Sequence, residues 1–144
     1  MKIICAGYPK TGSKSCSTAL RSLGYKVADY METLEFLNEI WRAYLNGEAT
    51  IEAVLEEYEK HGFDANQDLP GNLKWEELYN GSPKGTKVIL TVRDSDDIWW
   101  KSWSGFMKQE ISRDSIGDFN KGRLFQMFAS TGYLGPHLKA SVPQ

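Results

Sequence analysis

A chain of 144 residues with 41% hydrophobic and 25% charged side chains can close one domain around a packed core, and this balance excludes a disordered polymer. Lys and Arg (17) nearly offset Asp and Glu (19), giving a formal net charge of -2. No global field therefore draws the chain to nucleic acid or to an anionic membrane, and any anion site must be built locally. The two cysteines, Cys5 and Cys16, have neither zinc spacing nor the density of a disulfide framework, although a bridge between them stays open. The short apolar stretch behind Met1 is not a signal peptide, and no segment is apolar enough to span a bilayer. A soluble, reduced, cytoplasmic protein is the expectation.

Ile3 to Ala6 is a continuous apolar run ending in Gly7, the pattern of a buried parallel strand. Helical character follows from Ser15 to Leu23, closed by Gly24, and Tyr25 to Asp29 reads as a second short strand, completing a βαβ opening. Leu34, Leu37, Trp41 and Tyr44 predict one helix up to Gly47. Ile51, Val54, Leu55 and Tyr58 predict another, with Thr50 as N-cap and His61 near its end. The glutamates among them form a solvated face. Phe63 to Asp68 is either a strand or a loop into Pro70, and Leu73 to Tyr79 a short helix before a turn-rich stretch. Lys87 to Val92 is the clearest strand, followed from about Ser95 by a helix with Trp99, Trp103 and Phe106 on one face. A final helix is expected near Arg123 to Ala129. Strands separated by helices predict a mostly parallel sheet flanked by helices, a three-layer α/β sandwich, with ligands beyond the carboxyl ends of the strands.

Gly7-Tyr8-Pro9-Lys10-Thr11-Gly12-Ser13-Lys14-Ser15 leaves the first strand and opens the first helix. The unpaired N–H groups and dipole of a helix start cradle phosphate or sulfate. The loop is not a Walker A motif: Gly7 and Gly12 have its spacing, but Ser13 stands at the lysine position. Lys14 comes one residue late, turned by about 100° on a helix. Nor is it a dinucleotide fingerprint, since Pro9 replaces the second glycine.

Tyr8-Pro9-Lys10-Thr11-Gly12-Ser13 resembles the phosphosulfate-binding P-loop of sulfotransferases, in which the lysine precedes the glycine. Val88-Ile89-Leu90-Thr91-Val92-Arg93 resembles that family's second element, a strand and arginine that bind the 3′-phosphate of 3′-phosphoadenosine 5′-phosphosulfate (PAPS). The family's serine eight residues after the arginine is here Lys101, with Ser102 one position further. The resemblance implies a PAPS-dependent sulfotransferase with adenosine 3′,5′-bisphosphate as product and no metal. It implies a donor site of Pro9, Lys10, Thr11, Gly12, Ser13, Lys14, Ser15, Arg93 and Ser102, with Lys10 catalytic at the bridging oxygen. Phe63 to Pro70 resembles an Asp-x-Pro segment of a branch of the family, which implies Asp68 as the base for a small hydroxyl or amine acceptor. Capping of the following turn is the alternative role for Asp68.

The resemblance covers the chain to about residue 112, and sulfotransferases usually continue further. The expectation is one domain over residues 1–144, short at its C-terminal end, acting without nucleic acid or membrane, with a homo-oligomer left open. Two other classes stay open: a non-catalytic nucleotide- or protein-binding remnant of the fold, and a P-loop kinase or NTPase with Asp94 as its Walker B carboxylate.

Overall fold

The computed structural model describes residues 1–114, and side chains as far as Gln109. Contacts within the chain divide between Trp100 and Lys101, and each side is described by itself. Before that division lie strands β1 (Ile3–Cys5), β2 (Val27–Ala28), β3 (Ala65–Asn66) and β4 (Lys87–Ile89). Between them run helices α1 (Ser13–Ser22), α2 (Tyr30–Glu32), α3 (Asn38–Leu45), α4 (Ile51–Lys60) and α5 (Trp75–Gly81). A π-helical segment, Thr33–Leu37, joins α2 to α3, and α6 (Asp96–Asp114) follows β4 across the division.

Local chemistry places the helix ends. Gly24, at φ 88°, terminates α1 with Gly24 N–H bonded to Arg21 O at 3.0 Å and Tyr25 N–H to Leu20 O at 3.1 Å. Asp29 and Glu32 form a capping box on α2, and the Thr50 hydroxyl accepts from Ala53 N–H at 3.4 Å to open α4. His61 is the C-cap of α4, the helix-end position its sequence context predicted.

The sheet is parallel throughout, in the order β2-β3-β1-β4. Ile3 pairs with Ala65 on one side and Lys87 on the other, and Ala28 pairs with Asn66. Alternation along the strands divides the core between two faces. Ile4 and Ala28 pack with Leu37, Trp41, Val54, Tyr58, Phe63 and Leu78, while Ile3, Cys5, Val27 and Ala65 pack with Leu20 of α1 on the other face. The result is the expected three-layer α/β sandwich. On the first face Trp41 Nε1–H donates to Tyr58 Oη (3.3 Å), whose hydroxyl donates to Asn66 Oδ1 (2.9 Å). That pairing makes a polar side chain tolerable inside the sheet, and desolvation there pushes the Tyr58 phenol well above its usual range.

One open reading is settled and one expectation changes. The ambiguous stretch from Phe63 contains β3, a strand of only two residues between β2 and β1, because neighbours on both sides satisfy its backbone. The strand read over Lys87 to Val92 keeps its ladder only to Ile89, whose carbonyl accepts from Ala6 N–H at 2.8 Å. β1 then turns away at Gly7, and Leu90 and Val92 lie 68% and 70% exposed, with no strand among the described residues to continue the pairing. Among the described residues no helix is long and apolar enough to cross a membrane. The helix expected near Arg123 to Ala129 lies outside the described residues.

Candidate active site at the carboxyl edge of the sheet

All four strands run parallel, so their carboxyl ends share one edge. The Gly7 loop, Asp29, Asp68 and Arg93 all leave the sheet there. Gly7 is sterically obligatory: a Cβ at this position would run into the Thr91 hydroxyl and lie 2.7 Å from the Thr91 carbonyl. Gly12 serves differently. At φ 102° it turns the chain into α1, and nothing lies within 4 Å of where its Cβ would be.

Helix α1 has no side-chain cap. Its first bond is Cys16 N–H to Gly12 O at 3.0 Å, so the amides of Gly12, Ser13, Lys14 and Ser15 precede the ladder. Thr11 contributes less than its motif position implies. Its N–H closes a turn on Tyr8 O at 3.3 Å, and its hydroxyl donates to the same carbonyl and pairs with Thr91 Oγ1 at 2.8 Å. The Thr11 side chain therefore braces the loop.

Other braces come from distant parts of the chain. Asn72 donates from Nδ2 to Gly7 O (2.9 Å), and Trp99 from Nε1 to Pro9 O (2.9 Å), with its ring 6.0 Å from that of Tyr8. Pro9 is buried. Arg93 donates from Nε to Lys10 O at 2.6 Å, which places the exposed guanidinium at the rim of the loop while using one of its five N–H donors. Lys10 itself holds φ 71°, a left-handed conformation that costs a non-glycine residue about 1 kcal/mol. Such strain persists where surroundings impose it, and it gathers at functional sites.

On the β2–β3 side the structure adds a residue that sequence reasoning missed. Asp29 follows β2 and is 1% exposed; its Oδ2 accepts from Lys14 Nζ at 2.9 Å, and Arg21 Nη1 lies 3.9 Å away. Lys14, placed by motif in the donor site, thus turns toward β2. Asp68 also has a positive φ, 72°, and its Oδ1 accepts from Leu69 N–H at 3.0 Å, while its carbonyl accepts from Asn72 N–H. It therefore does cap the turn, as the alternative reading had it, and it remains partly exposed at the sheet edge. Crowding around the carboxyl pushes its pKa up to about 6, assisted by the charge of Asp29 and opposed by the Leu69 N–H and by Lys14 and Lys10.

The remaining candidates divide. Ser13 is half-buried and Ser15 exposed in the first turn of α1. Asp94 is exposed beyond β4. Ser102 lies on α6, half-buried, beyond the division of the chain, where Trp103 is buried and stacks near Phe106 (5.9 Å). Trp99, read with Trp103 and Phe106 on one helix face, braces the loop, and Trp100 is exposed. Cys5 and Cys16 are free thiols with sulfurs 3.7 Å apart, and burial holds the Cys5 thiol well above its usual range. Among the described residues no three His, Cys, Asp or Glu side chains gather as a metal site. A separate cavity of about 330 Å³ runs along β2 between Arg21, Phe36 and Phe63 and shares no residue with the loop.

The parallel three-layer sandwich thus leaves unpaired N–H groups at a glycine-opened helix start on its carboxyl edge, the kind of group an anion could meet. The family model of the sulfotransferase domain matches residues 2–133, and the chain belongs to that family. Among curated proteins none matches.

Proposed function

We propose that the protein is a PAPS-dependent sulfotransferase acting as one domain on a small hydroxyl or amine acceptor. The observation that carries the reading is the start of α1: four backbone amides without a side-chain cap, beside a lysine held at positive φ, in a chain of the sulfotransferase family. The open space at Gly12 and the fixed loop fit a phosphosulfate group. Gly12, Ser13, Lys14 and Ser15 would hold it through backbone N–H groups, Pro9 and Thr11 would set the loop's shape, and Arg93 would take the 3′-phosphate with donors that its bond to Lys10 O leaves over.

When bound, the donor supplies an activated sulfuryl group. The chain's part is positioning and electrostatics. Lys10 offsets negative charge growing on the leaving oxygen, and its strained backbone, tied to Arg93, fixes where that ammonium is anchored. Asp68 accepts the acceptor's proton at its free carboxylate oxygen. A pKa of about 6 leaves it ionised at neutral pH yet more basic than an ordinary aspartate.

The test is transfer from radiolabelled PAPS to a panel of phenols, alcohols and amines, with Lys10→Ala alongside. Transfer by the wild type that falls by at least about 100-fold in Lys10→Ala supports the reading. Equal rates in the two proteins, or no transfer to any member of the panel, count against it.

A further inference from the structure

Asp29 is the most deeply buried acid at the edge of the sheet, and neither the phosphosulfate-loop motif nor the Asp-x-Pro segment accounts for it. Its position is set by register. Ala28 pairs with Asn66, and Gln67 N–H donates to Ala28 O at 2.9 Å, so Asp29 and Asp68 leave adjacent strand ends. Burial without pairing would be prohibitive for the Asp29 carboxylate. It is paired on every side: Tyr30 N–H donates to Oδ1 (2.8 Å), Lys14 Nζ to Oδ2 (2.9 Å), Arg21 stands 3.9 Å off, and Glu32 closes the capping box onto the Asp29 backbone N–H (3.2 Å).

Lys14 is the telling partner. Its side chain is 71% exposed, and it sits in the first turn of α1. Without a competing acid, an ammonium in that place would settle on the nearest available carboxylate and neutralise it. We infer that Asp29 is a positioning residue for the proposed base: it holds the Lys14 ammonium at the end of β2 and keeps it from neutralising the Asp68 carboxylate. This rests on the reading of Asp68 as the base.

The charges that face Asp68 are Lys10 from the loop, Lys14 from α1 and Asp29 from the end of β2. Arg21 and Glu32 face Asp29 in turn. The influence of Asp29 on Asp68 exceeds that of Lys14. Removing the Asp29 charge therefore eases ionisation of Asp68 even if Lys14 swings away, and more so if it turns to Asp68.

The experiment is a pH titration of the aspartate side-chain carboxyl carbons by carbon-13 NMR, with the Asp68 signal assigned by its loss in Asp68→Asn. Asp29→Asn preserves the shape and the oxygen that accepts from Tyr30 N–H. Its Asp68 midpoint should fall by about half a pH unit or more below that of the wild type. In Lys14→Met, a change at an exposed side chain, the midpoint should rise. The part of the Asp29→Asn fall due to a released Lys14 is read by repeating Asp29→Asn in the Lys14→Met background, where the fall should be smaller; equal falls in the two backgrounds, which loss of the Asp29 charge alone would give, overturn the inference. Should Asp29→Asn fail to fold, Asp29→Ser, which keeps an N-cap oxygen for Tyr30 N–H, is compared in the same two backgrounds, and equal falls overturn the inference in the same way. Failure of the base reading looks different: Asp68→Asn would then transfer sulfuryl groups at full rate while the midpoints still moved.

Discussion

At the residue scale, Asp68 carries opposed demands. A carboxyl whose pKa rises to about 6 on folding binds more protons in the native than in the unfolded chain between about pH 4 and 6. Stability therefore falls as pH rises through that window, and at neutral pH the ionised group costs up to about 3 kcal/mol. Asparagine keeps an oxygen for Leu69 N–H and tolerates the positive φ. Asp68→Asn should accordingly be more stable than the wild type at pH 7 by about 1–3 kcal/mol, and unfold at a higher temperature, with the gain gone below pH 4. Thermal unfolding at both pH values checks this, and the same variant should lose transfer by about 100-fold. Arg93→Ala should weaken adenosine 3′,5′-bisphosphate binding by about 10-fold or more, and Arg93→Lys should not restore it, because an ammonium cannot hold both Lys10 O and a phosphate in the fork geometry. Titration calorimetry reads both.

At the scale of elements, the loop is a joint between β1, α1 and the chain beyond β4. Gly7→Ala places a methyl against Thr91 in a buried position where backbone as well as side chain must give. We expect it to cost about 3 kcal/mol or more and to abolish bisphosphate binding, measured by urea unfolding and by calorimetry. The strand–loop–helix unit was legible in the sequence because its signals are local: an apolar run, a glycine at each turn, and a helix stopped by Gly24. β3 was not, because two residues carry no periodicity and one of them, Asn66, is polar; Tyr58 and Trp41 make that placement tolerable from far away in the chain. The end of β4 was misjudged for a related reason. Leu90, Thr91 and Val92 have strand propensity, yet a ladder needs a partner, and β1 has already turned aside. Lys10, Gly12 and Arg93 could be found from motif, whereas Asp29 and Asn72 reach the site only through sheet register and a turn. No sequence signal marks either of them.

For the molecule as a whole, the chain belongs to the sulfotransferase-domain family and its parallel sheet brings four strand ends to one edge, where the proposed function puts the donor. In that proposal the choice of nucleotide falls to the loop. The lysine before Gly12 and the arginine tied to Lys10 O favour a phosphosulfate nucleotide with a 3′-phosphate over a nucleoside triphosphate with its magnesium. The most direct measurement is calorimetric titration of the protein with adenosine 3′,5′-bisphosphate and, separately, with ATP and Mg²⁺. The account predicts binding of the bisphosphate without any metal and at least about 10-fold tighter than ATP with Mg²⁺. Preference for ATP with Mg²⁺, or no binding of the bisphosphate, would contradict it.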